Sequence, residues 1–222
     1  MKRIKNVLIF FLAMVMLGAC RDKKSEKKEE ENIQQENTFV NPLKTEGAQC
    51  WANYYDGWYY YMQEAVDRLE LWRTRDITDL EHAEHKVIWI PKDPSNAHHL
   101  WGPEIHPIAG KWYVYYAASD DNMDNHQLFV LENSSADPFE GEFELKGRIS
   151  TDKNNNWAIH PNVFEHRGEW YMTWSGWQSR RVSTEHQCIY IAKMKNPWTL
   201  ESDRVLLSKP EPCWQKPAAS NP

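Results

Sequence analysis

Three copies of a short aromatic pattern constrain the fold of this chain more than any other feature. The copies are DGWYYYMQ from Asp56, GKWYVYYAA from Gly110 and GEWYMTWSG from Gly168. Aligned on Trp58, Trp112 and Trp170, they lie 54 and then 58 residues apart. Self-similarity at intervals of this order is typical of repeat architectures, in which each copy is one unit that stacks against the next.

Each copy is flanked by further short runs with the composition of strands. A turn-bounded segment precedes it, as in GAQCWANYY, WGPEIHPIA and WAIHPNVFEH, and an alternating run follows it, as in LELWRT, HQLFVLEN and QCIYIAKM. A fourth stretch lies near HKVIWI, FELKGRI and RVLLS. Four β-type runs per unit, separated by Gly, Asp and Asn turns, predict the four-stranded blade of a β-propeller. The predicted fold class is all-β, with about three blades in this chain.

The composition agrees with this architecture and argues against one class of partner. The chain has twelve Trp and ten Tyr residues, which suit cross-strand pairs and contacts between blades. Its net charge is -6, and no basic patch is interleaved with aromatic residues. Nucleic acid is therefore not an expected partner.

The N-terminus has the pattern of an export signal. Residues 1–20 combine a basic start, an apolar run too short for a comfortable membrane span, and the small-residue tetrad from Leu17 to Cys20. The tetrad resembles a bacterial lipobox, which implies lipidation at Cys20; an ordinary signal peptide is the alternative. Residues 21–38 are charged and nearly free of hydrophobes, which predicts a disordered tether. The expected location is the bacterial cell envelope, with the membrane reached through the lipid anchor only.

A family resemblance extends from about Asn41 to Trp214. Its motifs occur in the order NPL, GAQCWA, ITDL, LWGPEIH, NHQLFVLEN, NNWAIHPNVFEH, WSGW, YIAKMKNPW and VLLSKPE. In this order they resemble glycoside hydrolase family 43, the arabinofuranosidase and xylosidase group of five-bladed propellers. The resemblance implies that residues 39–214 form part of such a propeller and residues 215–222 an unstructured tail. We therefore expect a C-terminally truncated propeller.

The innermost strands of a propeller converge on an axial funnel, and here they carry Gln49, Glu104, His106 and His160. The resemblance implies an inverting mechanism with two carboxyl groups on opposite sides of the sugar. It places the family's catalytic base at Gln49 and the residue that tunes the acid's pKa at His160, so both positions are altered. An amide has no basic lone pair, so Gln49 can position a water without taking its proton. The general acid would follow the KPE segment and is expected to be absent from this chain.

The remaining predicted site residues are expected to contact substrate. The resemblance makes Glu104 part of the sugar subsite, and recruitment of Glu104 for catalysis in an altered site is the alternative. For His160 we expect a ligand-facing role, with a structural histidine as the alternative. Three tryptophans are candidate platforms for sugar stacking, although a core position is an equal alternative for each. The predicted substrate-binding set is Trp51, Trp101, Glu104, His106, His126, Asn162 and Trp174.

Two functions follow as hypotheses. The first is a glycosidase that removes arabinofuranosyl, xylosyl or galactosyl-type units from oligo- or polysaccharides by inversion, with the altered site leaving this chain's activity in question. The second is a non-catalytic glycan-binding lipoprotein with a degenerate propeller. No cofactor is required for either, and an axial calcium ion is a further possibility implied by the resemblance.

Overall fold

The computed structural model describes residues 38–179 and 186–211. Residues 38–42 belong to an N-terminal unit and are exposed, and residues from Leu43 onward form a second unit. The predicted signal segment with Cys20, nearly all of the tether, and the tail at 215–222 lie outside the described residues. Within the described part of the chain, the search for a helix of membrane-spanning length and hydropathy finds none.

Three antiparallel sheets make up the second unit, in the described residues, and each is one blade. The first blade contains β1 (Trp51–Tyr55), β2 (Trp58–Met62), β3 (Leu69–Thr74) and β4 (Glu84–Trp89). The second blade contains β5 (His98–Ile108), β6 (Lys111–Ser119), β7 (Gln127–Asn133) and β8 (Glu144–Ile149). The third contains β9 (Ala158–His166), β10 (Glu169–Gly176) and β11 (Cys188–Asn196), with β12 (Thr199–Leu200) and β13 (Val205–Ser208) both paired to β11. The predicted all-β propeller architecture with three blades is confirmed.

The only helical segments of the described chain are three short 3-10 turns. They span Ile77–Asp79, Pro94–Asn96 and Met123–Asn125. Each is preceded by an Asp or Asn whose side chain accepts a hydrogen bond from a backbone N–H of the turn, the residues being Asp76, Asp93 and Asn122. These caps satisfy backbone donors that a short turn leaves free, and so stabilise the loops that connect strands.

The hairpin between the first two strands of every blade has the same turn. Its two central residues have positive φ in all three blades, at Asp56–Gly57, Ala109–Gly110 and Arg167–Gly168. Two consecutive positive φ values are the mark of the type I′ turn, whose twist matches that of the strands. The turn glycines are 53 and 58 residues apart.

These turns correct the alignment of the repeat. Gly57, Gly110 and Gly168 are equivalent, so Trp112 and Trp170, two residues after their glycines, match Tyr59. Trp58 directly follows its glycine and is therefore one position out of register. The sequence alignment matched tryptophan to tryptophan and missed that the backbone turn defines the repeat.

The core lies between the blades. β6 is central to it, because alternate residues of a strand face opposite sides of the sheet. Trp112, Val114 and Tyr116 belong to the cluster shared with the first blade, whereas Tyr113 and Tyr115 belong to the cluster shared with the third. The second blade is therefore packed on both faces, and this packing holds the first strands of all three blades in place.

Candidate functional site

The first strands of the three blades, β1, β5 and β9, form the candidate site. β5 contacts both β1 and β9. Eight residues before each turn glycine lies a residue with left-handed backbone: Gln49 (φ 49°), Gly102 (φ 52°) and His160 (φ 52°). The three residues therefore occupy one structural position, repeated from blade to blade. Two of the predicted site residues, Gln49 and His160, are thus equivalent by structure as well as by motif.

In the second and third blades this position is a β-bulge. Gly102 and Pro103 together lie opposite Tyr116, because the register shifts between Trp101 and Glu104. His160 and Pro161 lie in the same way opposite Trp174. A bulge places two residues against one and redirects the side chains that follow it. It brings the residue after each proline, Glu104 in one strand and Asn162 in the other, to equivalent positions.

Glu104 is the centre of a hydrogen-bond network. Asn162 Nδ2 donates to Glu104 Oε2 at 2.9 Å, and His106 Nε2 donates to the same oxygen at 3.1 Å. The Glu104 side chain is 14% exposed and that of His106 is 8% exposed. A carboxylate with two fixed donors is held in one orientation and still has an acceptor oxygen for a sugar hydroxyl. The structure thus brings together three residues of the predicted substrate-binding set.

Trp51 joins this network from the first blade. Its ring centroid lies 5.2 Å from that of His106. Its Nε1 donates to the carbonyl oxygen of Ile105 at 3.3 Å, and Asn53 Nδ2 donates to the same oxygen at 3.1 Å. The indole is therefore tied to β5 while remaining partly exposed. This geometry suits a fixed aromatic surface beside Glu104, as a sugar-stacking platform requires.

His160 is exposed and packs closely against Gly102. A Cβ added at Gly102 would lie only 2.5 Å from His160 Nδ1, so the imidazole uses the space that the glycine leaves open. Desolvation lowers the pKa of His160 below its ordinary value, although the carboxylates of Glu104 and Glu64 oppose this change. The imidazole is consequently favoured in its neutral form, in which one ring nitrogen can donate and the other accept.

Gln49 occupies the matching position in the first blade and is exposed. The backbone beside it is paired, because the N–H of Glu64 donates to the carbonyl oxygen of Ala48 at 2.9 Å. Its side chain is a neutral amide with donor and acceptor capacity but no basic group. The position predicted to hold an altered base therefore lies two residues before β1, which begins at Trp51, and not on the inner strand itself.

Trp101 and His126 stack on each other. Their ring centroids are 4.0 Å apart with planes 20° from parallel. Trp101 is partly exposed. His126 is completely buried, and its two ring nitrogens lie 2.7 Å from the Met123 carbonyl oxygen and 3.1 Å from that of His99. Burial lowers the pKa of His126.

The prediction that His126 binds substrate is wrong for this structure. The ring has no exposed surface, and a backbone carbonyl oxygen lies within hydrogen-bond distance of each of its nitrogens, so it presents no group to a sugar. For Trp101, stacking with His126 occupies one ring face, and a role in sugar stacking stays a prediction.

Trp174 is also a correction. It is 1% exposed and belongs to the core cluster between the second and third blades. The bulge at His160 and Pro161 lies opposite it, and its ring packs near Tyr190 at a centroid distance of 5.9 Å. A buried indole offers no face to a sugar, so the core alternative holds for this residue.

Three residues near the site were not predicted from the sequence. Gly102 provides the space for His160, Asn53 fixes β1 to β5, and the charge of Glu64 acts on His160. The first could have been found by aligning the repeats on their turn glycines, since Gly102 then falls opposite Gln49 and His160. The other two had no sequence signal, because they depend on contacts between strands far apart in the chain.

The described residues contain no group of three or more His, Cys, Asp or Glu side chains placed to hold a metal ion. An axial calcium ion stays a prediction. The Asp120 carboxylate, in the loop before β7, receives hydrogen bonds from Asn125 Nδ2 at 3.0 and 3.1 Å.

Comparison with known sequences gives one family. The sequence model of "Glycosyl hydrolases family 43" matches residues 25–221. The chain is similar to an extracellular exo-α-(1→5)-L-arabinofuranosidase of Streptomyces chartreusis, with 36% identity over 182 residues, covering 80% of this chain and 55% of that protein. It is also similar to α-L-arabinofuranosidase 43 of Humicola insolens, with 32% identity over 167 residues, covering 72% of this chain and 34% of the other.

Solved structures agree. The crystal structure of an α-L-arabinofuranosidase from Lactobacillus brevis has a TM-score of 0.72 and 32% identity, covering 79% of this chain and 57% of that one. An endo-arabinase from Bacteroides thetaiotaomicron has a TM-score of 0.60 at 15% identity, covering 78% of this chain and 60% of the other, and so shows the fold alone. The chain spans about half the length of the first of these curated relatives, 55%, and a smaller share of the second, 34%.

Proposed function

This chain belongs to glycosyl hydrolase family 43, and from that premise we propose that the protein is a glycosidase of the α-L-arabinofuranosidase type. Its substrates would be oligo- or polysaccharides with arabinofuranosyl units, because the relatives with more than 30% identity are named for that activity. Xylose-containing glycans are a second class, supported by the titles of more distant structural neighbours. Galactose-containing glycans rest on the sequence resemblance only.

The observation that carries this proposal is the Glu104 network. The Glu104 carboxylate accepts hydrogen bonds from Asn162 and His106, and the indole of Trp51 lies against the His106 ring. These residues lie on the first strands of three different blades. A hydrogen-bonded carboxylate next to an aromatic ring matches both surfaces of a sugar, whose hydroxyl groups donate at its edge and whose C–H groups form its faces. In this arrangement Glu104 orients the sugar and His106 and Asn162 orient Glu104.

The chemistry of the altered positions can be stated for each residue. Gln49 would hold a water molecule by its amide, but it would not remove the proton that an inverting attack requires. Neutral His160 has an acceptor nitrogen and lies close enough to Glu104 to feel its charge. In this proposal the family's base position therefore holds an amide, Gln49, and the position of the residue that tunes the acid's pKa holds an imidazole, His160.

This replacement favours a second candidate function, which is glycan binding without hydrolysis. The sugar-contacting residues are retained in the geometry just described, whereas Gln49 stands where the family resemblance places the base. The binding function requires only the Glu104 network and Trp51. The two candidate functions predict different turnover but the same affinity for the glycan. Measuring turnover and affinity on the same protein therefore separates them.

The experiment measures release of 4-nitrophenol from 4-nitrophenyl α-L-arabinofuranoside and, by calorimetry, the affinity for arabinotriose. If the protein is an enzyme that uses the Glu104 carboxylate in catalysis, Glu104→Gln abolishes turnover and leaves affinity nearly intact, because the amide keeps the shape of the side chain but loses its charge. Glu165→Gln is the matched control, since Glu165 is an exposed carboxylate on β9, the first strand of the third blade.

Full turnover in Glu104→Gln would remove the catalytic role of Glu104. Absence of turnover in the unaltered chain, with arabinotriose affinity weakened by about 1 to 3 kcal/mol in Trp51→Ala, would leave the binding function. Absence of both turnover and binding would contradict both candidates.

We further propose a cell-envelope location through lipid attached at Cys20. The Leu17 to Cys20 tetrad supports the anchor, and two curated relatives are described as extracellular. Cys20→Ser should move the protein out of the membrane fraction of a bacterial host grown with labelled palmitate and should remove the label. Retention of the label at an unchanged level in this variant would contradict the anchor.

A further inference from the structure

A cleft of about 660 Å³ lies between the second and third blades, apart from the Glu104 network. One wall is the end of β8 and the loop at 150–154, and the other is the β12 hairpin with Trp198 and the loop at 201–204. Its volume falls in the range of roughly 300 to 1,000 Å³ that is typical of ligand sites. None of the predicted site residues lines it.

An ion pair and several hydrogen bonds connect the two walls at the base of the cleft. Asp152 and Arg204 form an ion pair at 2.9 Å, with side chains 13% and 16% exposed. Asp152 also accepts from the N–H groups of Asn154 and Asn156, at 2.8 and 3.2 Å. Arg204 donates to the carbonyl oxygens of Trp177 and Gln178, at 2.9 and 2.8 Å. The ion pair and these hydrogen bonds therefore tie the two walls together.

The lining is charge-balanced. It contains three cationic and three anionic side chains, namely Arg148, Lys153, Arg204, Asp152, Glu201 and Asp203. Such a lining gives no net attraction for an anion or a cation, yet it presents many donors and acceptors. A neutral molecule with many hydroxyl groups matches it best.

Two further residues point to a ligand of this kind. Trp198 lines the cleft and is partly exposed, so its indole is available for the C–H face of a sugar. Thr151 also lines the cleft and is 4% exposed, and its Oγ1 has no hydrogen-bond partner among the described residues. A buried hydroxyl without a partner costs stability, and a ligand hydroxyl would supply the partner once the Thr151 side chain turns toward the cleft, since its oxygen has less than 1 Å² of accessible surface as it stands.

From these observations we propose that the cleft is a second glycan-binding site, which takes a neutral oligosaccharide and is separate from the funnel. The choice of a saccharide among polyhydroxylated ligands rests on the proposed function. The site would hold a polymeric substrate at the rim of the propeller while the funnel engages another part of it. Such a contact raises the effective concentration of substrate at the funnel.

The test is calorimetric titration of the full chain with arabinotriose, which is short enough to report each site separately. We expect two equivalents to bind. Thr199→Trp fills the cleft from an exposed position on its wall and should reduce the stoichiometry to one. Trp198→Ala should do the same, and Trp198→Phe should retain two equivalents because it keeps an aromatic face. Trp51→Ala should abolish binding of the other equivalent, in the funnel, and should leave binding in the cleft unchanged.

Thr199→Trp keeps the test valid even if Trp198→Ala fails to fold, since Trp198 also packs against the core. If the chain binds one equivalent of arabinotriose, and Trp51→Ala abolishes this binding while Thr199→Trp leaves it unchanged, the proposed cleft site is overturned and the proposed function is retained. One equivalent lost only in Thr199→Trp would support the cleft and contradict the funnel. Tighter binding of trigalacturonic acid at the cleft would overturn the assignment to a neutral sugar.

Discussion

The second and third blades have the same hairpin but bury their strands differently. All seven residues of β7 are buried, whereas β11 alternates between buried and more exposed positions. On the exposed side of the third blade, Ile189 is 41% exposed, and Val205 and Leu207 are 58% and 55% exposed. The same repeat thus gives a strand packed on both faces in one blade and on one face in the next. Burial is decided by the neighbouring blades and not by the strand's own pattern.

The largest expected effect tests this difference directly. Leu131→Ala in β7 removes a completely buried side chain and should lower the free energy of unfolding by about 2 to 5 kcal/mol, through lost burial and a residual cavity. Ile189→Ala in β11 is the matched variant at an exposed position of the third blade, and it should lower the free energy of unfolding by about 1 kcal/mol or less. Urea denaturation of both variants gives the comparison. Equal losses would mean that the exposed face of the third blade is covered in solution.

A second prediction concerns the repeated left-handed position. Gly102→Ala should cost on the order of 1 to 2 kcal/mol from the backbone alone, and more from the contact with His160 Nδ1. Gly110→Ala is the control, since its φ is 76° and an added Cβ would meet nothing within 4 Å. In a His160→Gly background, the loss caused by Gly102→Ala should shrink to that of the control. A double-mutant cycle that gives no coupling would show that the imidazole does not pack on Gly102.

The smallest expected effect compares His126 of the second blade with His160 of the third. Burial lowers the pKa of His126 in the folded state, so between its folded pKa and the ordinary value near 6.5 the unfolded state binds more protons. Stability should therefore be unaffected above that value and should fall as the pH is lowered below it. His126→Phe should flatten this part of the stability profile, measured by urea denaturation from pH 7.5 to 5.

His160→Gln is the companion variant, because the pKa of the exposed His160 is lowered as well. We expect it to flatten the profile less than His126→Phe does, because solvent reaches part of the imidazole. A profile unchanged in His126→Phe would show that another group causes the acid sensitivity.

Much of the fold could be predicted from local sequence. The Asp-Gly doublet at 56 and 57 and the glycines at 110 and 168 have conformations that follow from the residues themselves, so the hairpins and the three blades were predictable. The inner-strand location of Glu104, His106 and His160 followed from the propeller as an architecture, whereas Gln49 lies two residues before the first strand of its blade. The register of the repeat was not predictable from tryptophan spacing, because a tryptophan such as Trp58 can lie one position away from its equivalents in the other blades without changing the turn.

The identities of the residues determined the chemistry available to this protein. An amide at Gln49, an imidazole at His160 and one carboxylate at Glu104 are facts of sequence, and the acid–base properties of each group follow from its type. Tertiary structure alone decided which of these groups are in contact. In the folded chain Glu104 accepts hydrogen bonds from Asn162 and His106, and His160 packs against Gly102. It also buried Trp174 and His126 while leaving Trp51 partly open, because exposure depends on packing between blades that are distant in the chain.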